Sequence, residues 1–449
     1  MRKFSLTRFL FCCAAAIALI SPAQPVSAGQ PTTVFEVNTY ADLVDEYPNG
    51  ICSAGSITGG PCSLRAAIYD AATWNANGYN VRILLPPGTY QLTQQGSGTD
   101  NPFFGDLDLV LIHKTMNLSV TIEGTGTQPS VIDARWIDRV LDIWPETPEA
   151  GNRHHVILSN LVIKNGLIRS TTDLSARGGG VRVDRVDLTV ENVRFMDNEA
   201  RGVSQGEGYK DGAGGGLSIG YAKLIMSDCE LDGNEADYGS ALSIWDPESA
   251  KYTFVQRTSF HDNHSGSTVI HAYGTLYLVN STLAYNSSTR ESSVGVRSFG
   301  PAFIHSSTLQ ISGAGTNLEC IFETCMLRNS ALIREPKNGK IGRNCRAGDA
   351  ISSEGGNVMD DDTCPGPGKV IYPGTWRMVF AGQYFLPSSD SPVVNYIPPN
   401  DCKAFQFGQS VDPVDAPLQT DQRKFSRGGW CDAGSIETPN VNFLPVIFK

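Results

Sequence analysis

The sequence predicts an all-β solenoid: short parallel strands wound into stacked coils, with a helix over one end and a disulfide-stapled segment at the other. Three observations carry that reading. The first is a recurring line made of a polar residue, two variable residues and a large apolar one. It reads Asn160-Leu161-Val162-Ile163, Asn192-Val193-Arg194-Phe195, Asp228-Cys229-Glu230-Leu231, Arg257-Thr258-Ser259-Phe260, Asn280-Ser281-Thr282-Leu283, Ser306-Ser307-Thr308-Leu309 and Asn329-Ser330-Ala331-Leu332. Successive polar anchors stand 32, 36, 29, 23, 26 and 23 residues apart, a spacing typical of solenoid repeats. The second is the filling between anchors, runs such as Leu188-Thr189-Val190 and Leu276-Tyr277-Leu278, which alternate with period two rather than 3.6. The third is composition: 46 glycines and only 18% charged residues suit a chain dense in turns.

In such a stack no coil buries its apolar face alone, and like residues rest above like residues about 4.8 Å apart. The apolar residue of each line is therefore expected to point inward. The polar anchors are expected to form a ladder of side-chain amides at a turn. A second ladder is expected three residues after the apolar position, through Asn198, Asn234, Asn263 and Asn286. Both are read as turn scaffold.

Taken in order, residues 1–28 have the form of an export signal: Arg2, Lys3 and Arg8, an apolar run from Phe9 to Ile20, and the small residues Val26-Ser27-Ala28. Its removal takes three positive charges from a chain of formal charge −11, leaving −14. So acidic a protein is a poor partner for nucleic acid or free polyanions unless a cation bridges the two. No later stretch is apolar enough to suggest a transmembrane segment. Residues 29–117 hold a first strand, Thr33 to Asn38, then a helix and the first coils. The helix is read from Leu64, Ala67, Ile68 and Ala71, with Ser63 to cap its start and Asn77-Gly78 to end it. It would cover the open end of the core. Residues 118–335 are the repeats, and residues 336–449 a Cys- and Pro-rich closing region ending in the apolar strand Phe443 to Lys449.

Cys62-Ser63-Leu64-Arg65-Ala66-Ala67-Ile68, followed by Ile83-Leu84-Leu85-Pro86-Pro87-Gly88-Thr89-Tyr90, resembles the N-terminal motif of secreted bacterial right-handed parallel β-helix proteins of the CSLREA type, with Ala66 where Glu is usual. Asp421-Gln422-Arg423, Arg427 and Cys431-Asp432-Ala433-Gly434-Ser435-Ile436-Glu437 resemble the choice-of-anchor Q closing segment, with Lys424 where Gly is usual. The resemblance implies a right-handed parallel β-helix of the pectin-lyase-like class and export. It carries no shared catalytic residues. Gly178-Gly179-Gly180-Val181, Gly214-Gly215-Gly216-Leu217, Phe195-Met196-Asp197-Asn198 and Phe260-His261-Asp262-Asn263 are similar to units of bacterial surface adhesins.

Nine cysteines follow the signal, and in an exported protein most should pair. Proximity and the end motifs suggest Cys52–Cys62, Cys345–Cys364 and Cys402–Cys431. The pairing of Cys320 with Cys325 is left open, and Cys229 is expected to stay a free thiol.

Chemistry, if present, needs convergent carboxylates. Counting from the apolar position, Asp197 and Asp262 share one place two coils apart, roughly 10 Å from each other. Asp232 and His261 fill the neighbouring column. These four are the candidate catalytic residues. Asp360, Asp361 and Asp362 form the densest carboxylate run and are the candidate Ca²⁺ ligands, calcium being the one cofactor considered. Trp136-Ile137-Asp138 is similar to a short pectate-lyase motif but reads better as part of an early coil. No nucleotide-binding loop, H-E-x-x-H or G-x-S-x-G is present. The expectation is a secreted or surface protein that binds glycans or a cell-surface component, with Tyr273, Tyr277 and Tyr285 available to stack on sugars. The alternative is a polysaccharide lyase or glycoside hydrolase.

Overall fold

A computed structural model describes residues 30–438, apart from residues 58, 97–100, 149–153, 171–175, 203–211, 248–250, 289–292, 347–349, 372–375, 377, 407–412 and 428. The export signal and the C-terminal apolar strand lie outside the described residues.

The repeats stack in parallel. Ile163 pairs with Phe195, Phe195 with Leu231, Leu231 with Phe260, and the column continues through Leu283, Leu309 and Leu332. Every member is almost fully buried, and together they line one wall of a continuous core. A second wall of nine parallel strands runs from Leu107–Leu111 to Arg343–Arg346, with Leu141, Val181, Leu217, Leu242, Ile270, Val296 and Leu318 in one inward column. The protein is an all-β parallel β-helix.

The polar anchors mark the bend within each coil. Asn160, Asn192, Asp228, Arg257, Asn280, Ser306 and Asn329 all hold φ between 48° and 57°. That left-handed region is costly for most side chains and least so for Asn and Asp, which explains the polar preference. The expected amide ladder is found in one step only, Asn192 Nδ2 donating to Asn160 Oδ1 at 2.7 Å. Asp228 instead pairs with Arg257, while Asn280 and Asn329 donate to the carbonyls of Thr420 and Asp401. Dihedral demand selects the anchor, and its side chain then points outward to whatever lies there.

The second ladder is complete. Asn198 Nδ2 donates to Asn234 Oδ1 (3.0 Å), Asn234 to Asn263 (3.0 Å) and Asn263 to Asn286 (2.9 Å), all buried. The remaining amide proton of each reaches the preceding coil's carbonyl, as Asn234 Nδ2 does to Phe195 O (2.9 Å). A third column uses hydroxyls: Ser281, Ser307 and Ser330 Oγ accept from the backbone N–H of Thr258, Ser281 and Ser307.

The helix Leu64–Ala76 lies against the first coils, its Leu64, Ala67, Ile68 and Ala71 buried and Ser63 Oγ accepting from Ala66 N. Arg65 is buried too, paired with Asp42 at 2.7 Å and donating to the carbonyls of Gly105 and Asp106. Four disulfides are formed: Cys52–Cys62, Cys320–Cys325, Cys345–Cys364 and Cys402–Cys431. Cys229 is free and buried, and burial pushes its thiol up to about 12, so it is unreactive.

The closing region does more than end the stack. It turns back along the outside of the long sheet as two antiparallel hairpins, Met378–Phe380 with Phe385–Pro387 and Lys403–Gln406 with Val414–Pro417. Phe405 packs on Tyr277 and Phe303, and Phe380 on His261 and Tyr285. The second of these contacts roofs the candidate site.

Candidate functional site

The outer face of the sheet beyond the bend carries a polar groove. Its floor comes from the residues that alternate with the buried column: Arg194 precedes Phe195, Glu230 precedes Leu231, and the register sets Arg194 beside Glu230. One residue past the column, Met196 stands beside Asp232 and Asp232 beside His261. The anchors Asn160, Asn192, Asp228 and Arg257 form one edge. The returning segment supplies the other through Gln383, Tyr384, Gln422 and Arg423, and together they enclose a cavity of about 590 Å³.

At one end sits a compact acid–histidine cluster. His261 Nε2 lies 2.8 Å from Glu230 Oε1, and its Nδ1 lies 3.0 Å from Asp262 Oδ2 and 3.4 Å from Asp232 Oδ1. Arg194 bridges Glu230 (3.1 Å) and Asp232 (2.8 Å), and Gln383 Nε2 donates to Glu230 Oε2 at 2.8 Å. Burial alone would strip His261 of its proton, but the hydrogen bonds to Glu230 and Asp262 outweigh it and hold the imidazole above its ordinary value. Burial would likewise raise Glu230, but His261 and Arg194 pull it below the usual carboxylate range. Each partner therefore favours the charged form of the other.

Asp197 and Asp262 occupy the same turn position, with Gly233 between them on the intervening coil. All three hold positive φ, at 51°, 53° and 65°. A Cβ on Gly233 would meet Asp197 Oδ1 at 2.5 Å, so the glycine leaves room for that carboxylate. Asp197 is raised above its ordinary value by burial and by the charge of Asp232.

The other sequence candidates lie elsewhere. Asp360 accepts from Arg334 Nε (3.0 Å) and Asn344 Nδ2 (2.8 Å), Asp361 accepts from Asn344 N (3.0 Å), and Asp362 faces solvent. Tyr273 is stacked on Phe299 with centroids 4.1 Å apart, Tyr277 lies beneath Phe405, and Tyr285 packs on Phe380. Among the described residues, a cation could draw one ligand atom each from Glu230, Asp232 and His261, or from the buried Asp106, Asp108 and Asp142. In the first group Arg194 already sits between the two carboxylates and opposes a second positive charge.

Arg194, Glu230 and Gln383 are members of the site that the candidate residues did not include. The first two carry a signal in the sequence, since both precede the apolar residue of their line. Gln383 carries none, because it arrives by the fold-back of the closing region.

No family model matches the sequence, and no curated protein matches it. Among solved structures, one titled "Crystal structure of pectate lyase Pel9A" is similar at a TM-score of 0.34 and 13% identity, the alignment covering 91% of this chain and 98% of that chain.

Proposed function

We propose that the chain is an exported or surface-attached protein that binds a neutral glycan in the groove between Asn160 and Glu230. The observation that supports this reading is the state of the polar groups. The Glu230 and Asp232 carboxylates are both engaged by Arg194, and Glu230 also by His261. The groove meanwhile presents amide and guanidinium groups from Asn160, Asn192, Gln383, Gln422 and Arg423 beside the Tyr384 ring. Fixed donors and acceptors next to an aromatic face recognise hydroxyl-rich ligands, whereas a catalytic base needs a proton-free atom facing the substrate. Both ring nitrogens of His261 are engaged by carboxylates, Nε2 by Glu230 and Nδ1 by Asp262, so neither is free to face a ligand as a base. The four disulfides and the form of residues 1–28 support an oxidising, extracytoplasmic destination. The test is a glycan array followed by calorimetric titration. Wild type is expected to bind a neutral oligosaccharide and Tyr384→Ala to lose at least tenfold in affinity. Equal affinity in the variant sinks the assignment of the groove.

A second reading, glycoside hydrolysis, draws support from Asp197, whose raised carboxyl suits a general acid. Its partner would be Asp262, about 10 Å away across two coils, close to the 6.5–9.5 Å of inverting enzymes. Reducing-sugar release that disappears in both Asp197→Ala and Asp262→Ala would establish it in place of simple binding.

A further inference from the structure

Among the described residues, three aromatic side chains stand on left-handed backbone: Trp136 (φ 62°), Tyr221 (φ 50°) and Tyr285 (φ 52°). That conformation is an outlier for a bulky residue, and two of the three use their rings within the fold. Tyr221 accepts from Trp245 Nε1 at 3.2 Å and carries Arg185 over its face. Tyr285 packs on Phe380 and Phe385. Trp136 differs from both. It is 45% exposed, and its indole has no ring contact, cation contact or side-chain hydrogen bond among the described residues.

The turn that carries Trp136 is tightly held. Arg135 before it is left-handed as well, at φ 53°. Asp133 Oδ1 accepts from Arg135 N (2.9 Å), Asn165 O accepts from Trp136 N (2.7 Å), and Ala134 O accepts from Ile137 N (3.0 Å). Asp133 is itself fixed, with Asn165 Nδ2 at 2.8 Å and Lys164 Nζ at 3.5 Å. Three consecutive N–H groups are therefore bonded, and the ring sits on a backbone that its surroundings over-determine. Strain kept in this way is a mark of ligand clamps. A ring already fixed at its base also loses little freedom when something lies on it.

Trp136 stands where the groove ends. Leu161 and Val162 line the groove, and their strand runs on through Ile163 and Lys164 to Asn165, whose carbonyl holds Trp136. From Val162 to Asn165 is three residues of strand, about 10 Å. Ile163 is buried on that path, while Lys164 reaches solvent beside Asp133. The way from the groove to the indole is thus polar and open.

We infer that Trp136 is a stacking platform for a sugar ring of the glycan held in the groove, and that this ligand is a chain of several neutral pyranose units. The indole offers an apolar face to the C–H side of a pyranose, and Lys164 can donate to hydroxyls between the two contacts. The inference rests on the reading of the groove given above and adds the ligand's length and its far contact.

The test is calorimetric titration of the full mature chain with the β-1,4-linked hexamers of glucose, xylose, mannose and galactose, and with the disaccharide of whichever hexamer binds. Wild type is expected to bind one hexamer at least tenfold more tightly than its disaccharide. Trp136→Ala should lose tenfold or more on that hexamer, and Trp136→Phe, which keeps a ring, less than threefold. Tyr384→Ala should also lose tenfold. Unchanged affinity in Trp136→Ala beside a loss in Tyr384→Ala overturns the platform and leaves the groove standing. A loss in Trp136→Ala with none in Tyr384→Ala overturns the link between the two contacts. Trp136→Phe as weak as Trp136→Ala overturns ring stacking, and a disaccharide bound as tightly as the hexamer overturns the claim of length. No binding of any hexamer at millimolar concentration overturns platform and groove together.

Discussion

Glu230 Oε1 lies 2.8 Å from His261 Nε2, although 31 residues separate them in the chain. Their strands are register partners on adjacent coils, so the contact exists only because the stack does. This geometry raises the proton affinity of His261, and stability follows with a defined sign. A histidine held above its ordinary value of 6.5 contributes stability that is fully present below that pH and lost as pH climbs through the raised value. His261→Gln is therefore expected to cost about 2 kcal/mol at pH 6 and distinctly less at pH 9, the usual range for hydrogen bonds to a charged group. Denaturant unfolding at both pH values measures it; a loss of the same size at each would exclude a protonated His261.

The Asn234 side chain is bonded to the coils on both sides of it. Its Oδ1 accepts from Asn198 N (3.1 Å) and Asn198 Nδ2 (3.0 Å), and its own amide donates to Phe195 O (2.9 Å) and Asn263 Oδ1 (3.0 Å). Asn234→Ala strands buried groups on the coil before it, each worth about 1–3 kcal/mol when left without a partner. We expect a loss of about 3–5 kcal/mol in guanidinium unfolding. Asn234→Asp should be nearly as damaging, because a carboxylate accepts but cannot donate to Phe195 O.

The contrast between these residues and the rest shows what a sequence exposes. Phe195, Leu231 and Phe260 are legible because burial forces the same residue class to recur at the same place in each coil. The neighbourhood of Asp232 and His261 follows by counting one place onward. Arg194 and Glu230 are just as legible by counting one place back. The anchors mislead for a physical reason: Asn is favoured both by side-chain ladders and by left-handed φ, and only the backbone distinguishes them. Gln383 and Phe380 are not legible, since no repeat ties them to Glu230 and His261 and the contact depends on where an irregular segment comes to rest.

Lys424 holds a φ of 69°, in the left-handed region that favours glycine. A side chain in that region costs about 1–2 kcal/mol. The ion pair it gains with Asp228, at 3.3 Å, has a lysine that is 64% exposed, and such pairs are worth about 0–1 kcal/mol. Asp228 also keeps the closer Arg257. Lys424→Gly is thus expected to stabilise the protein by about 0.5–1 kcal/mol, read as a higher unfolding midpoint at an unchanged denaturant slope. A lower midpoint would mean that the ion pair outweighs the backbone cost.

Stability should fall on both sides of a mildly acidic optimum, through two groups at the closing region. Burial pushes Glu437 up from 4.5 to about 7, despite Arg427 at 3.1 Å, with Asp432 adding to the rise. Its folded form holds a proton that the unfolded chain releases. The contribution is complete below about pH 4.5 and is lost as pH climbs to about 7, on the order of 3 kcal/mol at most. His305 works in the other direction. It is fully buried, neither ring nitrogen has a hydrogen-bond partner, and it stacks on Phe405 of the second hairpin at 5.1 Å. Burial pushes it down to about 3, with Arg328 adding to the fall. Its contribution is complete above pH 6.5 and is lost as pH falls toward 3. The two contributions oppose each other between pH 4.5 and 6.5, so Glu437→Gln should remove the fall above about pH 6.5 and His305→Phe the fall below about pH 4.5. The second change also relieves two buried polar atoms, worth about 1–3 kcal/mol, so it should raise the melting temperature at every pH. Melting curves of the two variants from pH 4 to 8 decide this, and a fall that persists in its variant assigns that fall to another group.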